Sequence, residues 1–301
     1  MMKKNVFKFS LGLLLVCSAS SFGAINLKLN LEKGKTYKLI SVSAQQMSQN
    51  QMNITINAST YLSFTPTAIE ADYMMVKVST DSIVSSTQTP MGSMVTNSNK
   101  PGNPNNPQEL TGVAISAMCR VPLQVKMAYN GNILDIINAQ TIADTVKAVF
   151  SKSNGMPEAM LQTLVESMCS KDALKSSIES LLSYLPKTKD ALDKWETSIE
   201  MSTNGMKLSV KNNYRLISDE GGKLKLAGES IIQPAGDGKM TMNGMQMTID
   251  LKGTAQGELT IDKKTGWIVN GKTKTKMAGS VAVNGNSIPI EMSGTTEILS
   301  K

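Results

Sequence analysis

The clearest pattern in the chain is the alternation of apolar and polar residues from Met245 to Asp262. Odd positions are apolar or glycine, and even positions are polar. A period of two predicts a β-strand with one buried face. A straight strand of this length would run about 60 Å at ~3.4 Å per residue, so the strand must bend. Three glycines on the apolar face, Gly253, Gly257 and Gly279, permit this bending and indicate a strongly curved sheet.

Turn residues predict the register between neighbouring strands. A three-residue hairpin loop at 264–266, with glycine in the left-handed position, predicts that Leu251 lies opposite Gly279. The same loop predicts that Ile261 faces Val269. A slip by one residue would turn every apolar side chain outward, so the agreement of pattern and turn supports this register.

Further turns divide the rest of the chain into two meanders. Asn-Gly pairs at 204–205 and 284–285 predict two-residue hairpins. A three-residue loop at 219–221 predicts that Leu216 lies opposite Leu224.

A helical segment separates the two meanders, at residues 138–195. Apolar residues recur there at helical spacing, Asn138 is a candidate N-cap, and Pro186 ends the periodic pattern. A last short helix is predicted from Thr188 towards Trp195.

The predicted fold class is therefore mainly β with a central helical segment (α+β). We expect a strongly curved antiparallel meander sheet, half-barrel-like and packed on two to four helices. Residues 25–301 form a single β-rich domain in this prediction: an N-terminal meander (25–137), the helical segment (138–195) and a C-terminal meander (196–301). Residues 90–109 are rich in proline, asparagine and serine, which predicts a mobile surface loop.

The first 24 residues have the pattern of a cleavable signal peptide. Three lysines precede a short apolar run at 11–16, and small residues follow up to Gly23 and Ala24. The run is shorter than the ~20 residues of a membrane-spanning helix, and no later stretch approaches that length, so no transmembrane span is predicted. We expect an exported protein that is periplasmic, outer-membrane-associated or secreted. Acylation at Cys17, as in a lipoprotein, is the alternative to ordinary cleavage.

Composition argues against several functions. Removal of the three signal-peptide lysines would lower the formal net charge from +7 to +4, and only 4% of residues are aromatic, so no nucleic-acid partner is expected. The chain has no histidine, which removes the usual nucleophile activation and the usual zinc sites. No phosphate loop, CxxC motif or EF-hand spacing occurs. We expect no enzyme activity, no cofactor and no metal site.

Two cysteines, Cys119 and Cys169, remain after the signal peptide. In an oxidising compartment a single pair forms a disulfide most simply. The alternative is two separate buried thiols, and the sequence leaves both readings open.

The overall layout resembles a family of exported, β-rich bacterial proteins classed as a domain of unknown function. The Lys-Gly-Lys-Thr-Tyr opening at 33–37 and the Lys-Thr-Gly-Trp turn at 264–267 carry the resemblance. It implies a fold and a compartment but no catalytic residue. At the level of fold, the layout also resembles the half-open barrels of periplasmic lipoprotein and lipid carriers, which hold acyl chains between sheet and helices.

This resemblance implies that a ligand site would lie in the space between the concave face of the sheet and the helices. The candidate ligand-binding residues are Ile249, Leu251, Leu259, Val269 and Ile290 on the sheet, and Leu161, Leu164, Ile178 and Leu182 on the helices. In one hypothesis this space binds a hydrophobic small molecule or lipid. In the other, the same residues pack into a closed core and the protein is a non-catalytic structural or protein-interaction module of the cell envelope, with unknown protein partners.

Overall fold

The computed structural model describes residues 26–49, 52–100, 102–106, 109–151, 158–187, 193–203, 206–242, 245–283 and 286–301. The predicted signal peptide, Cys17 and the Asn-Gly pairs at 204–205 and 284–285 lie outside the described residues. The same is true of most of the short helix predicted after Thr188.

Thirteen strands form one antiparallel sheet. They are β1 (Tyr37–Gln49), β2 (Met52–Ile69), β3 (Tyr73–Thr89), β4 (Gly92–Asn97), β5 (Leu123–Ala128), β6 (Ile133–Ile136), β7 (Lys194–Thr203), β8 (Met206–Glu220), β9 (Lys223–Pro234), β10 (Lys239–Met242), β11 (Met245–Asp262), β12 (Ile268–Val283) and β13 (Asn286–Ser300). Their order is β6-β5-β3-β2-β1-β13-β12-β11-β9-β8-β7, with β4 beside β3 and β10 beside β11. Pairing of β1 with β13 joins the two predicted meanders into one sheet.

Four helices are described, and they pack on this sheet as the α+β prediction requires. They are α1 (Leu110–Cys119), α2 (Ala139–Phe150), α3 (Glu158–Cys169) and α4 (Lys171–Leu181). Ser170 caps α4, because its hydroxyl accepts a hydrogen bond from the backbone N–H of Ala173. The predicted fold class is confirmed.

The register predicted for the C-terminal meander is confirmed over most of its length. Gly279 lies opposite Leu251 on one side and Ile290 on the other. The prediction for Val269 is wrong, because a bulge near the turn places Ile268 opposite Ile261. Ile268 is only 1% exposed and takes the core position that the sequence assigned to Val269.

The loop predicted at 219–221 is also wrong. Gly221 and Gly222 both have positive φ (59° and 73°), so Glu220 pairs directly with Lys223 across a two-residue turn. A bulge farther along β8 then places Leu216 opposite Leu226, two residues beyond the predicted partner.

Part of the predicted mobile loop at 90–109 is ordered secondary structure. Residues Gly92–Asn97 form β4, because β3 extends beyond the end of β5 and leaves a free edge there. The backbone N–H of Ser98 donates to Ile83 O, and the Ser98 hydroxyl accepts from the Ile83 N–H, both at 2.9 Å. α1 begins at Leu110, at the end of this region, and interrupts the part of the chain predicted as a meander.

Helix α4 lies between the two edges of the sheet. It contacts β6, the strand at one end of the order, and β7, the strand at the other end. The Glu179 carboxylate accepts a hydrogen bond from the backbone N–H of Ile133 at 3.1 Å, and Lys171 forms an ion pair with Asp135. The helix therefore provides a hydrogen-bond acceptor to the edge strand β6, whose backbone groups would otherwise be exposed.

The residues after α4 attach to the opposite edge. The Thr197 hydroxyl donates to Ser183 O at 2.7 Å, and the Trp195 indole N–H donates to Tyr184 O at 2.9 Å. Tyr184 is fully buried, and its hydroxyl donates to Gly266 O at 2.7 Å. This short segment thus joins β7 to the β11–β12 turn. The predicted helix towards Trp195 is wrong at its end, since β7 begins at Lys194.

The N-terminal segment seals one end of the half-barrel. Leu27, Leu29 and Leu31 are buried in the main core. The backbone N–H of Leu29 donates to Tyr129 O at 2.8 Å. A Cβ on Gly266 would lie 2.1 Å from Lys28 O, so only glycine permits this close approach. We call this end the base. It comprises segment 26–31 and the turns at 69–73, 220–223 and 262–268.

We predict that Tyr184→Phe lowers the free energy of unfolding by about 1–3 kcal/mol, because the buried Gly266 carbonyl loses its hydrogen-bond donor. Urea denaturation measures the change. Tyr61→Phe is the matched control, because Tyr61 is exposed and its hydroxyl makes no hydrogen bond within the described residues, and it should change stability by less than about 0.5 kcal/mol. Equal losses of stability in both variants would contradict the role of Tyr184 in joining β7 to the β11–β12 turn.

The Asp262 carboxylate predicts a pH dependence of stability. Hydrogen bonds from the Thr265 side chain, together with backbone N–H groups, hold the pKa of Asp262 below its usual range. A lowered folded-state pKa stabilises the protein above the unfolded-state pKa, and this contribution disappears as the pH falls through the folded-state pKa. We measure the free energy of unfolding by chemical denaturation at several pH values between neutral pH and about pH 3. This free energy should fall less steeply with decreasing pH for Asp262→Asn than for wild type. If the unfolding free energy of the variant depends on pH as strongly as that of wild type, Asp262 does not contribute to the pH dependence of stability.

Candidate functional site

A cavity of about 300 Å³ lies between the concave face of the sheet and the helices. Strands β1, β2, β3 and β5 form one wall, and the opposite wall consists of the end of α1, α2, the end of α3 and α4. The apolar lining residues are Leu62, Phe64, Val78, Ile83, Met118, Val121, Leu123, Ile142, Met168, Leu174, Ile178 and Leu181. This volume is at the lower end of the range for small-molecule sites.

The polar groups of the cavity are hydroxyls only. Ser41, Thr60, Thr80 and Ser177 complete the lining, and no charged residue among those that the structure describes contributes to it. Ser177 is exposed and so marks an opening of the cavity beside α4. The cavity therefore offers dispersion contacts and a few neutral hydrogen-bonding groups.

The structure places the predicted helical residues at or near this cavity. Ile178 lines it, and Leu182 is buried in the adjoining core. Leu161 and Leu164 are partly buried and pack against the same core from α3. The predicted side of the helices is therefore the side that meets the sheet.

The predicted sheet residues lie mostly elsewhere. Ile249, Leu251 and Ile290 form a separate buried cluster farther along the strands. Leu259 packs against the main core, and Val269 is partly exposed beside the bulge. The helices cover the N-terminal strands because α2 follows β6 directly and α4 returns along the same edge.

The residues that sequence reasoning missed come from two places. Leu62 and Phe64 belong to an alternating strand pattern that the sequence does show. Met118 lies on α1, where buried residues recur at helical spacing at positions 110, 113, 114 and 117. That spacing is the signal that could have identified α1.

A row of small side chains borders the cavity along the strands. The row next to Ser41 and Thr60 contains, in cross-strand order, Gly257, Thr273, Thr296, Ser43, Ala58 and Ser85. Ser43, Thr273 and Thr296 are each partly exposed. Because these side chains are small and three of them are partly exposed, they leave space on the concave face next to the cavity, and we call this part of the face the hollow.

A row of methionines follows farther from the base. Met277 lies opposite Met292, and Met292 lies opposite Met47. These three pack with the buried cluster of Ile249, Leu251 and Ile290. The concave face is therefore apolar again beyond the small residues.

Both cysteines are free thiols in the structure, which corresponds to the second of the two readings that the sequence left open. Burial raises the pKa of the Cys169 thiol to about 11, and burial also raises the pKa of Cys119. Each cysteine follows a methionine that lines the cavity, Met168 and Met118. The thiols are therefore neutral at physiological pH and unsuited to nucleophilic chemistry.

Within the described residues, no cluster of three or more carboxylates and thiols has the arrangement of a metal site. None of the helices in the same residues is long and apolar enough to cross a membrane.

Comparison with known families identifies the chain. A model described as a family of unknown function (DUF6263) matches residues 71–268. The chain belongs to this family. The predicted resemblance to a family of unknown function is thereby confirmed, and the match spans the cavity walls from β3 to α4.

This DUF6263 protein is similar to several solved structures. Lipovitellin matches with a TM-score of 0.51 at 11% identity, over 90% of this chain and 25% of lipovitellin. An outer membrane channel from Pseudomonas putida F1 matches with a TM-score of 0.29 at 5% identity, over 91% of this chain and 97% of the channel. OmpF from Salmonella typhi matches with a TM-score of 0.25 at 6% identity, over 90% of this chain and all of OmpF (100%). We found no curated protein with a matching sequence.

The likeness to lipovitellin shows a shared fold. This DUF6263 chain spans a quarter of the length of lipovitellin (25%).

We predict that Ile178→Ala in this DUF6263 protein lowers the free energy of unfolding by about 2–5 kcal/mol, because it removes buried apolar atoms beside an existing cavity. Val269→Ala is the matched control, since Val269 is partly exposed, and it should cost about 1 kcal/mol or less. Chemical denaturation measures both values. A larger loss for Val269→Ala would contradict the placement of the core.

Proposed function

We propose that this protein is an exported, non-catalytic cell-envelope protein that binds a hydrophobic or amphiphilic small molecule between its curved sheet and its helices. The observation that carries this proposal is the uncharged, mostly apolar cavity of about 300 Å³. Support for export comes from the charge, apolar run and small residues of positions 1–24.

The chemistry of the lining selects the ligand class. Each methylene group that moves from water to the apolar wall contributes about 0.8 kcal/mol. A charged ligand group in the same place would find no opposite charge, and its desolvation would cost several kcal/mol. An alkyl or acyl chain therefore suits the interior better than a sugar or a nucleotide does.

The position of the hydroxyls suggests how an amphiphile would be oriented. Ser41 and Thr60 lie on the side of the cavity that continues into the row containing Ser43 and Thr296. A ligand with its chain among Phe64, the helices and the core would place a polar head on these hydroxyls. The partly exposed hollow there leaves room for the head to remain hydrated.

The fold likeness agrees with this ligand class. The lipovitellin structure was described for its lipid-protein interactions, and it has the same fold over most of this chain. This analogy supports a lipid-like ligand and gives no information about its identity.

The lining also supports binding without catalysis. Its side chains are aliphatic, aromatic, thioether or hydroxyl groups, and none of them is an acid or a base near neutral pH. The chain has no histidine that could activate one of the hydroxyls.

Native mass spectrometry of protein purified from its own compartment, followed by solvent extraction, tests the proposal. We expect a population with an additional mass that is released by solvent as a lipid or another amphiphile. Bare protein alone, in samples that also bind no added amphiphile, would favour a closed core and a structural or interaction module.

A paired substitution locates the ligand. Thr80→Phe places a bulky ring in the cavity, whereas Thr87→Phe makes the same change on β3 outside the lining. Titration with a dansyl-labelled medium-chain fatty acid should show affinity at least about tenfold weaker for Thr80→Phe and unchanged for Thr87→Phe. Thermal denaturation checks that both variants fold. Equal affinities of two folded variants would place the ligand elsewhere.

A further inference from the structure

The two ends of the sheet differ in charge. At the base, the turns carry several acids and lysines: Glu70, Asp72, Glu220, Lys223, Asp262, Lys263 and Lys264. At the other end, which we call the rim, five pairs of consecutive antiparallel strands end: β1–β2, β3–β4, β7–β8, β10–β11 and β12–β13. The strand residues that close them are Gln49, Met52, Thr89, Gly92, Thr203, Met206, Met242, Met245, Val283 and Asn286. None of these ten residues is charged.

The absence of charge extends furthest along β1 and β2 and least along β7 and β8. Each rim hairpin lies within a stretch of sequence that has no charged residue: 39–69, 82–99, 201–206, 240–249 and 277–290. Charged residues make up 18% of the chain, so five uncharged stretches at one end of a sheet are a marked asymmetry. Charged residues are mostly exposed to water, and the base turns carry several of them.

The described part of the rim also exposes apolar side chains. Met91, in the β3–β4 turn, is 89% exposed, and Val95 on β4 is 69% exposed. Met52 at the start of β2 and Met94 on β4 are also exposed. Methionine is flexible and adapts to an irregular apolar environment.

The rim continues the apolar inner face of the sheet. Met47 lies two residues before the rim residue Gln49 on β1, and it pairs with Met292 beside the buried Ile290. From Ser41 at the cavity to Gln49 at the rim, β1 runs about 27 Å at ~3.4 Å per residue. The hollow that borders the ligand cavity therefore leads towards the uncharged end.

We propose that the rim is a docking surface for a lipid bilayer, with Met91 and Met94 inserted at the level of the headgroups. This inference rests on the proposed function, because a ligand with an acyl chain resides in a bilayer and must pass between bilayer and cavity. The rim is the end of the hollow that meets the bilayer.

A bilayer fits the rim better than a charged partner does. Charged side chains near the hydrocarbon region are costly, whereas methionine, valine and neutral amides are tolerated at the interface. Hairpin turns leave backbone groups unpaired, which restricts insertion to the hydrated headgroup layer. Lys207, directly after the β7–β8 hairpin, is exposed and suits an anionic headgroup behind the inserted residues.

A site-specific probe tests this contact. An environment-sensitive NBD label is attached at Met91→Cys on the rim or at Asp72→Cys in a base turn, in full chains whose native cysteines are replaced by alanine. On addition of phosphatidylcholine–phosphatidylglycerol vesicles, the label at position 91 should brighten and shift to the blue, and the label at position 72 should not. No change at position 91, or equal changes at both positions, would overturn the proposal.

A second comparison separates docking from ligand binding. Met91→Asp on the rim should slow transfer of the dansyl fatty acid from protein to vesicles about tenfold, because a carboxylate resists insertion. Ile69→Asp, which adds the same charge at an exposed position near the base, should leave transfer unchanged. Both variants should bind the probe normally in solution. If Met91→Asp transfers the fatty acid as fast as wild type, docking of the rim is refuted while ligand binding stands. If wild type does not bind the dansyl fatty acid in vesicle-free solution, the proposed function is refuted instead.

Discussion

The structure depends on how the two edges of one very large sheet are satisfied. A sheet with eleven strands in its main path curls until its edges approach each other, and each edge strand still presents unpaired backbone groups. Helix α4 and the residues after it fill the gap between β6 and β7, through Glu179 on one side and through Ser183 and Tyr184 on the other. Because this closure fixes the helices over the N-terminal strands, it also determines where the cavity lies.

The charge distribution distinguishes the two ends of the structure, the base and the rim. The base is sealed by segment 26–31 and by turns that carry acids and lysines, whereas the rim has none of these charges. Between them the concave face changes from an apolar cavity to small hydroxyl residues and then to methionines such as Met47 and Met292. The proposed amphiphilic ligand and the proposed bilayer contact would account for the uncharged cavity and the uncharged rim by the same apolar chemistry.

Local patterns predicted the sheet well and the site only in part. Strict alternation and turn residues fixed the partners of Gly279, because a shift by one residue would expose an entire apolar face. The bulge that exchanges Val269 for Ile268 gives no such signal, since either residue is apolar. The sequence predicts the site against Ile249 and Leu251, because periodicity shows that a face is buried but not which helix covers it. That information resides in the contact of α4 with both edges, which involves residues distant in the chain.

The sheet and the helices enclose an apolar cavity rather than a closed core. The most direct test is a crystal structure determined under xenon pressure, since xenon enters dry apolar cavities. We expect a xenon atom between Phe64 of the sheet and Ile142 and Ile178 of the helices. An empty density map at that position, with the side chains in direct contact, would contradict the account.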